Sequence, residues 1–283
     1  MLKISIDTTT EWTAGQHIYL RFLTQGFHAL TAHPFTICSL NGASENGRNQ
    51  MVFYVKTLGG LTARLGKLAE KTPGVSVPVL LDGPYGGMQN RWFRGFDHTV
   101  LIGGGAGAGF TLALAEHFLT QSQRRPTRSG KMTLVVSSRD PGLRQWYLEA
   151  LAHKIAKLEK DDTSAVQGAS LSVRIHETGS FEQGTEESES SSVPDKAVTT
   201  QEKTGDSSYG GPKAVNPEVF QGRPDLPTLC REAVASEGSI GLVVCGPGSM
   251  VHDVGRVAAS AQGKIIKGGA GASEVFFHQE SFS

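Results

Sequence analysis

The sequence predicts an α/β protein joined to a β-barrel: an antiparallel barrel over residues 1–94, then a doubly wound parallel sheet over residues 97–283. Three observations carry that reading. Short apolar runs separated by Gly-, Asn- and Thr-rich stretches fill the first third of the chain, the pattern of closely spaced strands. After about residue 97 the texture becomes strand, glycine turn, helix, the alternation of a parallel sheet with crossover helices. A length of 283 residues accommodates two modest domains, at roughly 100 to 200 residues each.

In the first region the apolar pieces are Ile4 to Ile6, His17 to Leu23, Pro34 to Leu40, Met51 to Leu58 and Val77 to Leu81. Leu61, Leu65 and Leu68 follow Gly59-Gly60 at helical spacing, so Leu61 to Lys71 is expected to be a helix. In the second region Thr99 to Ile102 reads as a strand, Phe110 to Thr120 as a helix and Met132 to Ser137 as a second strand. Asp140-Pro141 opens a further helix, with Asp as N-cap and Pro at the first helical position. Leu143, Trp146, Tyr147, Leu151, Ile155 and Leu158 give that helix one apolar stripe. Strands at Leu171 to Ile175, Ile240 to Cys245 and Glu274 to His278 continue the alternation. Residues 180–218 have almost no large apolar side chains and are expected to be a disordered insertion inside the second domain. The sequence holds no internal repeat.

Composition excludes several classes of function. Lys plus Arg equal Asp plus Glu at 27 each, so no basic stripe exists for a nucleic-acid backbone. Cys38, Cys230 and Cys245 are odd in number and widely spaced, which fits neither a disulfide framework nor a zinc site, and no metal ligands are proposed. A reducing, cytosol-facing compartment follows. No stretch approaches the roughly 18 apolar residues of a membrane span, and Met1 to Ile6 lacks a signal-peptide core, so the chain alone is expected to be soluble.

The chemistry-bearing segment of the second region is Gly103-Gly104-Gly105-Ala106-Gly107-Ala108-Gly109-Phe110, between a strand and a helix. Glycines there allow a tight turn and let a phosphate approach the helix N-terminus, whose free amides and dipole favour negative charge. Gly103, Gly105 and Ala108 fit the dinucleotide-binding spacing. A tightly packed strand-to-helix turn without a ligand is the alternative reading of the same residues. At the end of the next strand stand Ser137-Ser138-Arg139, where an NAD site would place an acid. A guanidinium pairs with phosphate oxygens, so Arg139 favours the 2′-phosphate of NADPH. A solvated arginine neutralised by Asp140 is the alternative.

In the first region His33-Pro34-Phe35-Thr36-Ile37 is followed by Lys56-Thr57-Leu58-Gly59-Gly60-Leu61-Thr62 and by Asp82-Gly83-Pro84-Tyr85-Gly86. Downstream lie Gly222-Arg223-Pro224-Asp225, Val244-Cys245-Gly246-Pro247-Gly248-Ser249-Met250, and Phe276 to Phe282. Taken in order, these segments resemble the ferredoxin-reductase-like dehydrogenase module of the ferric reductase and NADPH oxidase family, in its fungal metalloreductase form. The resemblance covers nearly the whole chain outside the insertion.

It implies two cofactors, FAD in the barrel and NADPH in the parallel-sheet domain. Thr36 would hydrogen-bond the flavin, Pro34 and Phe35 would shape its pocket, and His33 would lie toward its phosphates. Gly60, Leu61 and Thr62 would offer helix N-terminal amides to the pyrophosphate, with Gly83 and Pro84 closing the barrel beside it. Gly103, Gly104, Gly105 and Gly107 would face the NADPH phosphates, with Arg139 at the 2′-phosphate and Ser138 and Arg223 among the residues that bind the cofactor. Cys245 and Gly246 would lie near the nicotinamide, and Phe282 would stack on the flavin, so that Thr36, Cys245 and Phe282 form the catalytic set.

The sequence departs from the family pattern in lacking a Trp at Val136-Ser137-Ser138-Arg139, in carrying Ala108 and Gly109 in the glycine loop, and in lacking a Trp beyond Phe282. The resemblance also implies an electron acceptor outside this sequence: a haem-carrying transmembrane domain or partner, at the cytosolic face of a plasma membrane. Ferric or cupric ions would be the terminal acceptors. An NADPH-oxidase-like activity, a soluble diaphorase, or a non-catalytic remnant that only binds partners share the same motifs.

Overall fold

The computed structural model describes residues 1–23, 30–42, 47–124, 130–161, 170–179 and 216–280. The expected insertion lies outside them save for its last three positions, and Phe282 lies outside them altogether.

The first region is built from β1 (Leu2–Thr8), β2 (Gln16–Phe22), β3 (His33–Thr36), β4 (Asn49–Val55), the helix α1 (Gly60–Lys71) and β5 (Val79–Gly86). All pairings are antiparallel, as expected of the barrel, but the hydrogen bonding falls into two ladders, β1 with β4 and β3-β2-β5. Both wrap one apolar core, where Ile18, Leu20, Phe22, Met51 and Phe53 are fully shielded and Leu61 and Leu65 of α1 close one end. Period-two alternation produces this arrangement, for each strand turns every second side chain inward.

The second region is a six-stranded parallel sheet ordered β11-β10-β6-β7-β8-β9. Its strands are β6 (His98–Gly104), β7 (Lys131–Ser138), β8 (Ser170–Glu177), β9 (Glu218–Gln221), β10 (Gly238–Cys245) and β11 (Ala272–Glu280). The intervening helices are α2 (Ala108–Arg124), α3 (Pro141–Asp161), α4 (Leu226–Ala235) and α5 (Gly248–Ile266). The chain starts at the centre on β6, winds outward to β9, then returns to lay β10 and β11 on the other side of β6. Helices α2 and α3 cover one face and α4 and α5 the other, each over its own apolar layer. This is the doubly wound architecture expected from the sequence, with its switch point between β6 and β10.

One boundary needs correction. Glu218, placed in the insertion by its polar surroundings, opens β9 and pairs with Arg174. The helices α4 and α5 had no expectation in the sequence. Asp225 starts α4 by accepting a hydrogen bond from the Thr228 amide at 3.0 Å, with a proline in the first turn. The expected cap of α3 is present: the Leu143 amide donates to Asp140 Oδ1 at 3.2 Å.

The two regions are seated on one another through a shared layer. Tyr54 of β4 packs on Trp146 of α3 with ring centroids 4.3 Å apart. Lys56 Nζ lies 3.7 Å from Asp140 Oδ2. Between the regions, Trp92 and Phe96 are buried against Phe276 of β11. The Arg91 guanidinium sits 4.2 Å from the Phe96 ring centroid and pairs with Glu274. A side chain at Gly241 would strike the Phe96 ring at 2.6 Å, so ring and strand are fitted to each other. Phe96→Ala therefore leaves a cavity under β10 and is expected to cost about 3–5 kcal/mol in denaturant-induced unfolding, with no change in slope. A loss below about 1 kcal/mol would mean that the seam repacks.

Candidate functional site

Register places the ends of β6 and β10 side by side, Gly103 opposite Cys245. The loops that leave these ends touch. A Cβ on Gly104 would come within 2.7 Å of Met250 Sδ, 2.9 Å of Pro247 and 3.3 Å of the Gly246 backbone. One on Gly107 would fall 2.2 Å from the Cys245 carbonyl oxygen, which no rearrangement of a flexible side chain could relieve. One on Gly103 would meet the Ala108 backbone at 2.9 Å, so this glycine sets the close approach of α2 to its strand. Gly105 adopts φ +54° and has open space around it, with its backbone partly exposed at the mouth of the crevice. Packing requires Gly103, Gly104 and Gly107 and leaves the space beside Gly105 open.

The altered positions of this loop have structural partners. Ala108 is fully buried beneath Gly103, and a side chain on Gly109 would meet Cys38 Sγ of the first region at 3.1 Å. Phe110 stacks on His278 of β11 with ring centroids 6.0 Å apart. Thr111 Oγ1 is 3.0 Å from the hydroxyl of buried Tyr147.

Cys245 lies at the carboxyl edge of the sheet, opposite Gly103. It is the last residue of a strand flanked on both sides, its side chain is fully buried, and its sulfur lies beneath Gly107. Burial, with Glu280 nearby, pushes its thiol up to about 12. Cys38 rises to about 11 and Cys230 to about 12 for the same reason, loss of hydration. These are inert thiols at neutral pH, not nucleophiles.

In the first region β3 divides its side chains between two faces. Phe35 lies opposite Ile18 and His33 opposite Leu20, whereas Pro34 and Thr36 lie opposite Tyr19 and His17. The Phe35 ring meets Phe22 and Phe53 at 6.2 and 6.4 Å, so it backs the wall from the core side instead of lining an outer pocket. His33 Nε2 is 2.9 Å from Thr31 Oγ1. Thr36 is partly exposed on the outer face, beside the ring cluster of His17, Tyr19 and Tyr85. Gly83, with φ +132°, and Pro84 belong to β5 of the same sheet.

Helix α1 opens on Gly59 in extended backbone, with no side chain capping it, and on exposed Gly60 at φ +53°. Thr62 Oγ1 accepts from the Leu58 amide at 3.2 Å and donates to the Gly59 carbonyl at 3.0 Å, folding the turn back on itself. Leu61 is buried in the core, so only its amide is available at the surface. An uncapped helix start with bare backbone fits a phosphate group, for its first amides lack intrahelical partners.

At the end of β7, Ser137 and Ser138 are buried and Arg139 is exposed. Arg223 is exposed just beyond β9, after Gly222 at φ +85°. Sequence reasoning missed Arg144 and Glu177, which lie between them. Arg144, buried in α3, donates from Nη1 to the Ser138 carbonyl at 2.7 Å and lies 3.1 Å from Glu177 Oε1. An arginine four positions after a helix cap gives no sign in sequence that it points at a strand end.

Comparison with known proteins settles the family. Residues 96–259 match the model described as "Ferric reductase NAD binding domain", and residues 1–89 match an FAD-binding domain. The chain belongs to the ferric reductase family. It is 31% identical over 156 residues to a probable cell surface ferric reductase, kap2, of Aspergillus oryzae, a match covering 53% of this chain and 20% of that protein. It is 26% identical over 253 residues to ferric/cupric reductase transmembrane component 2 of Saccharomyces cerevisiae, covering 86% and 32%. The chain spans between 20% and 43% of the length of the curated relatives it matches. Its fold resembles the Amycolatopsis cytochrome P450 reductase GcoB at TM-score 0.54 and 14% identity, covering 99% of this chain and 65% of that one. It also resembles a mutant ferredoxin-NADP+ reductase of Plasmodium falciparum solved with 2'P-AMP, at TM-score 0.52 and 11% identity, covering 99% and 88%. This ferric reductase family member thus carries an FAD-binding and an NAD-binding domain. Among the described residues no helix is long and apolar enough to cross a membrane.

The buried thiols give a pH dependence whose sign is fixed. Each is held protonated in the fold and has a lower pKa in the unfolded chain, near 8.5. Their contribution is intact below that value and is lost as pH rises toward 11 or 12. Cys245→Ala is expected to flatten the fall in unfolding free energy between pH 8.5 and 10.5 by about 1.4 kcal/mol per pH unit. An unchanged slope in denaturation titrations would show that the thiol is hydrated in the fold.

Proposed function

We propose that the chain is the dehydrogenase module of a ferric-chelate reductase, passing electrons from NADPH through FAD to a haem-carrying membrane domain or partner, and from there to ferric or cupric ions. The carrying observation is the presence of two glycine helix starts without a side-chain cap, at Gly60 and at Gly105 to Gly107, on two regions joined by Tyr54, Trp146, Lys56 and Asp140. Supporting it are the family matches to FAD-binding and ferric reductase NAD-binding domains and the names of the fungal relatives, which are ferric and cupric reductases.

In this reading residues 1–94 hold FAD and residues 97–283 hold NADPH, with the chain at the cytosolic face of the membrane that carries its acceptor. Together the two cofactors supply hydride transfer from nicotinamide to flavin and its division into single electrons. The protein's part is to bind and orient. Thr36 donates its hydroxyl from the outer face of β3 to the flavin, and His33, Gly60, the Leu61 amide and Thr62 hold the pyrophosphate end. Gly83 and Pro84 bound the pocket, while Gly105 and the start of α2 hold the NADPH phosphates. Gly246 edges the nicotinamide side of the crevice, and buried Cys245 sets the height of Gly107 above the sheet. Ser138, Arg139 and Arg223 take the 2′-phosphate. Phe282, outside the described residues, would cover the flavin and would have to give way to nicotinamide.

Two substitutions separate the halves of this proposal. Thr36→Ala removes one hydrogen bond of about 0.5–1.5 kcal/mol and should slow flavin reduction in stopped-flow measurements up to about tenfold, leaving NADPH affinity unchanged. Arg139→Ala should raise the NADPH Kd at least tenfold and leave that for NADH within about twofold, since only NADPH carries the phosphate. Equal losses for both nucleotides would make Arg139 a structural residue. Expressed alone, the chain should reduce a soluble dye with NADPH. Ferric reduction by intact cells should require the membrane partner. Robust cell-surface ferric reduction without that partner would overturn the proposed division of labour, and bound FAD without dye reduction would favour a non-catalytic binding module.

A further inference from the structure

The ends of β7, β8 and β9 are adjacent in register, Ser138 beside Glu177 and Glu177 beside Gln221. Arg139 follows the first of these residues and Gly222-Arg223 follows the last. Glu177 is joined to both neighbours. Its Oε1 pairs with Arg144 at 3.1 Å, and the same guanidinium donates to the Ser138 carbonyl at 2.7 Å. Its Oε2 accepts from Gln221 Nε2 at 2.9 Å, and its backbone carbonyl accepts from the Gly222 amide at 2.9 Å. The Thr178 amide donates to the Ser138 carbonyl at 3.2 Å, closing the loop of contacts.

Two further details aim Arg139. Gly179 has φ +99°, and a Cβ there would sit 2.7 Å from Arg139 Cγ, so the Arg139 side chain runs along bare backbone. Behind it, Ser138 Oγ accepts from the Asp140 amide at 3.1 Å, which fixes the turn out of β7.

We infer that the Arg144–Glu177 pair is a strap that holds Arg139 and Arg223 as one clamp for a 2′-phosphate, and so sets nucleotide preference without touching the nucleotide. This rests on the assignment of NADPH above. Glu177 and Arg144 are positioning residues. Arg144, with a side chain only 7% exposed, also neutralises a carboxylate that would otherwise repel the phosphate it helps to bind. A strap of this kind accounts for the burial of an arginine whose Nε has no hydrogen-bond partner among the described residues. A lysine, with one point charge, would not span the Ser138 carbonyl and the Glu177 carboxylate in the same way.

The test is calorimetric titration of the full, flavin-loaded chain with adenosine 2′,5′-bisphosphate and with 5′-AMP. The wild-type protein is expected to prefer the bisphosphate at least tenfold, and Glu177→Ala to remove about tenfold of that preference with 5′-AMP binding unchanged. Glu177→Gln, which keeps an acceptor for Arg144, should retain part of the preference. Arg144→Ala should lose more than Glu177→Ala because it leaves the carboxylate uncompensated near the phosphate. The double substitution should return to the level of Glu177→Ala, a non-additivity that mere loosening of the fold would not give. If wild type prefers the bisphosphate and both Glu177 variants keep that preference, the strap is wrong while the 2′-phosphate assignment stands. If wild type shows no preference, the assignment fails and the strap with it. Equal weakening toward both probes in every variant would reduce the pair to a structural tie and overturn the proposal.

Discussion

The fit of the glycine turn after β6 against the end of β10 is the constraint on which the rest of the molecule depends. Gly107 lies so near the Cys245 carbonyl that no side chain can stand between them. That closeness fixes where α2 begins, and α2 in turn carries Gly109 and Phe110 to the first region and to β11. A doubly wound sheet opens a crevice wherever its strand order reverses. Here the crevice is narrow, and small residues on both loops decide which parts of it remain accessible. Domain seating and anion access are therefore consequences of one packing problem.

The same fit explains what was legible in the sequence. Antiparallel strands, the parallel sheet and the capped start of α3 follow from local pattern, because period and cap chemistry are short-range. The glycine loop was legible as a turn, and its odd members Ala108 and Gly109 stood out as departures. Their cause is long-range: Gly109 faces Cys38, 71 positions earlier in the chain. The burial of Cys245 is long-range in the same way, for its strand is paired on both sides and the glycine turn lies over it. Phe35 shows the limit within a motif, since alternation sends its ring inward while Thr36 faces out.

Helices α4 and α5 escaped notice because their apolar residues are small or interrupted, with Ala233, Ala258 and Ala261 carrying much of the contact with the sheet. Arg144 and Glu177 escaped for a different reason. A single charged residue on a helix or strand reads as solvated face, and only the fold brings them within hydrogen-bonding distance of each other and of the two flanking strand ends. Of the positions the sequence did single out, Arg139 directly follows β7, and Arg223 was singled out within its Gly-Arg-Pro-Asp segment.

The connection from Glu177 to Glu218 joins the end of β8 to the start of its parallel neighbour β9, and the two strands are held together independently of it, by their ladder and by the contact between Glu177 and Gln221. In general, each doubling of a loop's length costs only about 0.6 kcal/mol of closure entropy. Lineages can therefore lengthen, shorten or rewrite that stretch at little cost while the register of the strands beside it stays put. The fold has in this way separated a part free to drift from the neighbouring part that must hold its geometry, and variation among family members should pool in the former.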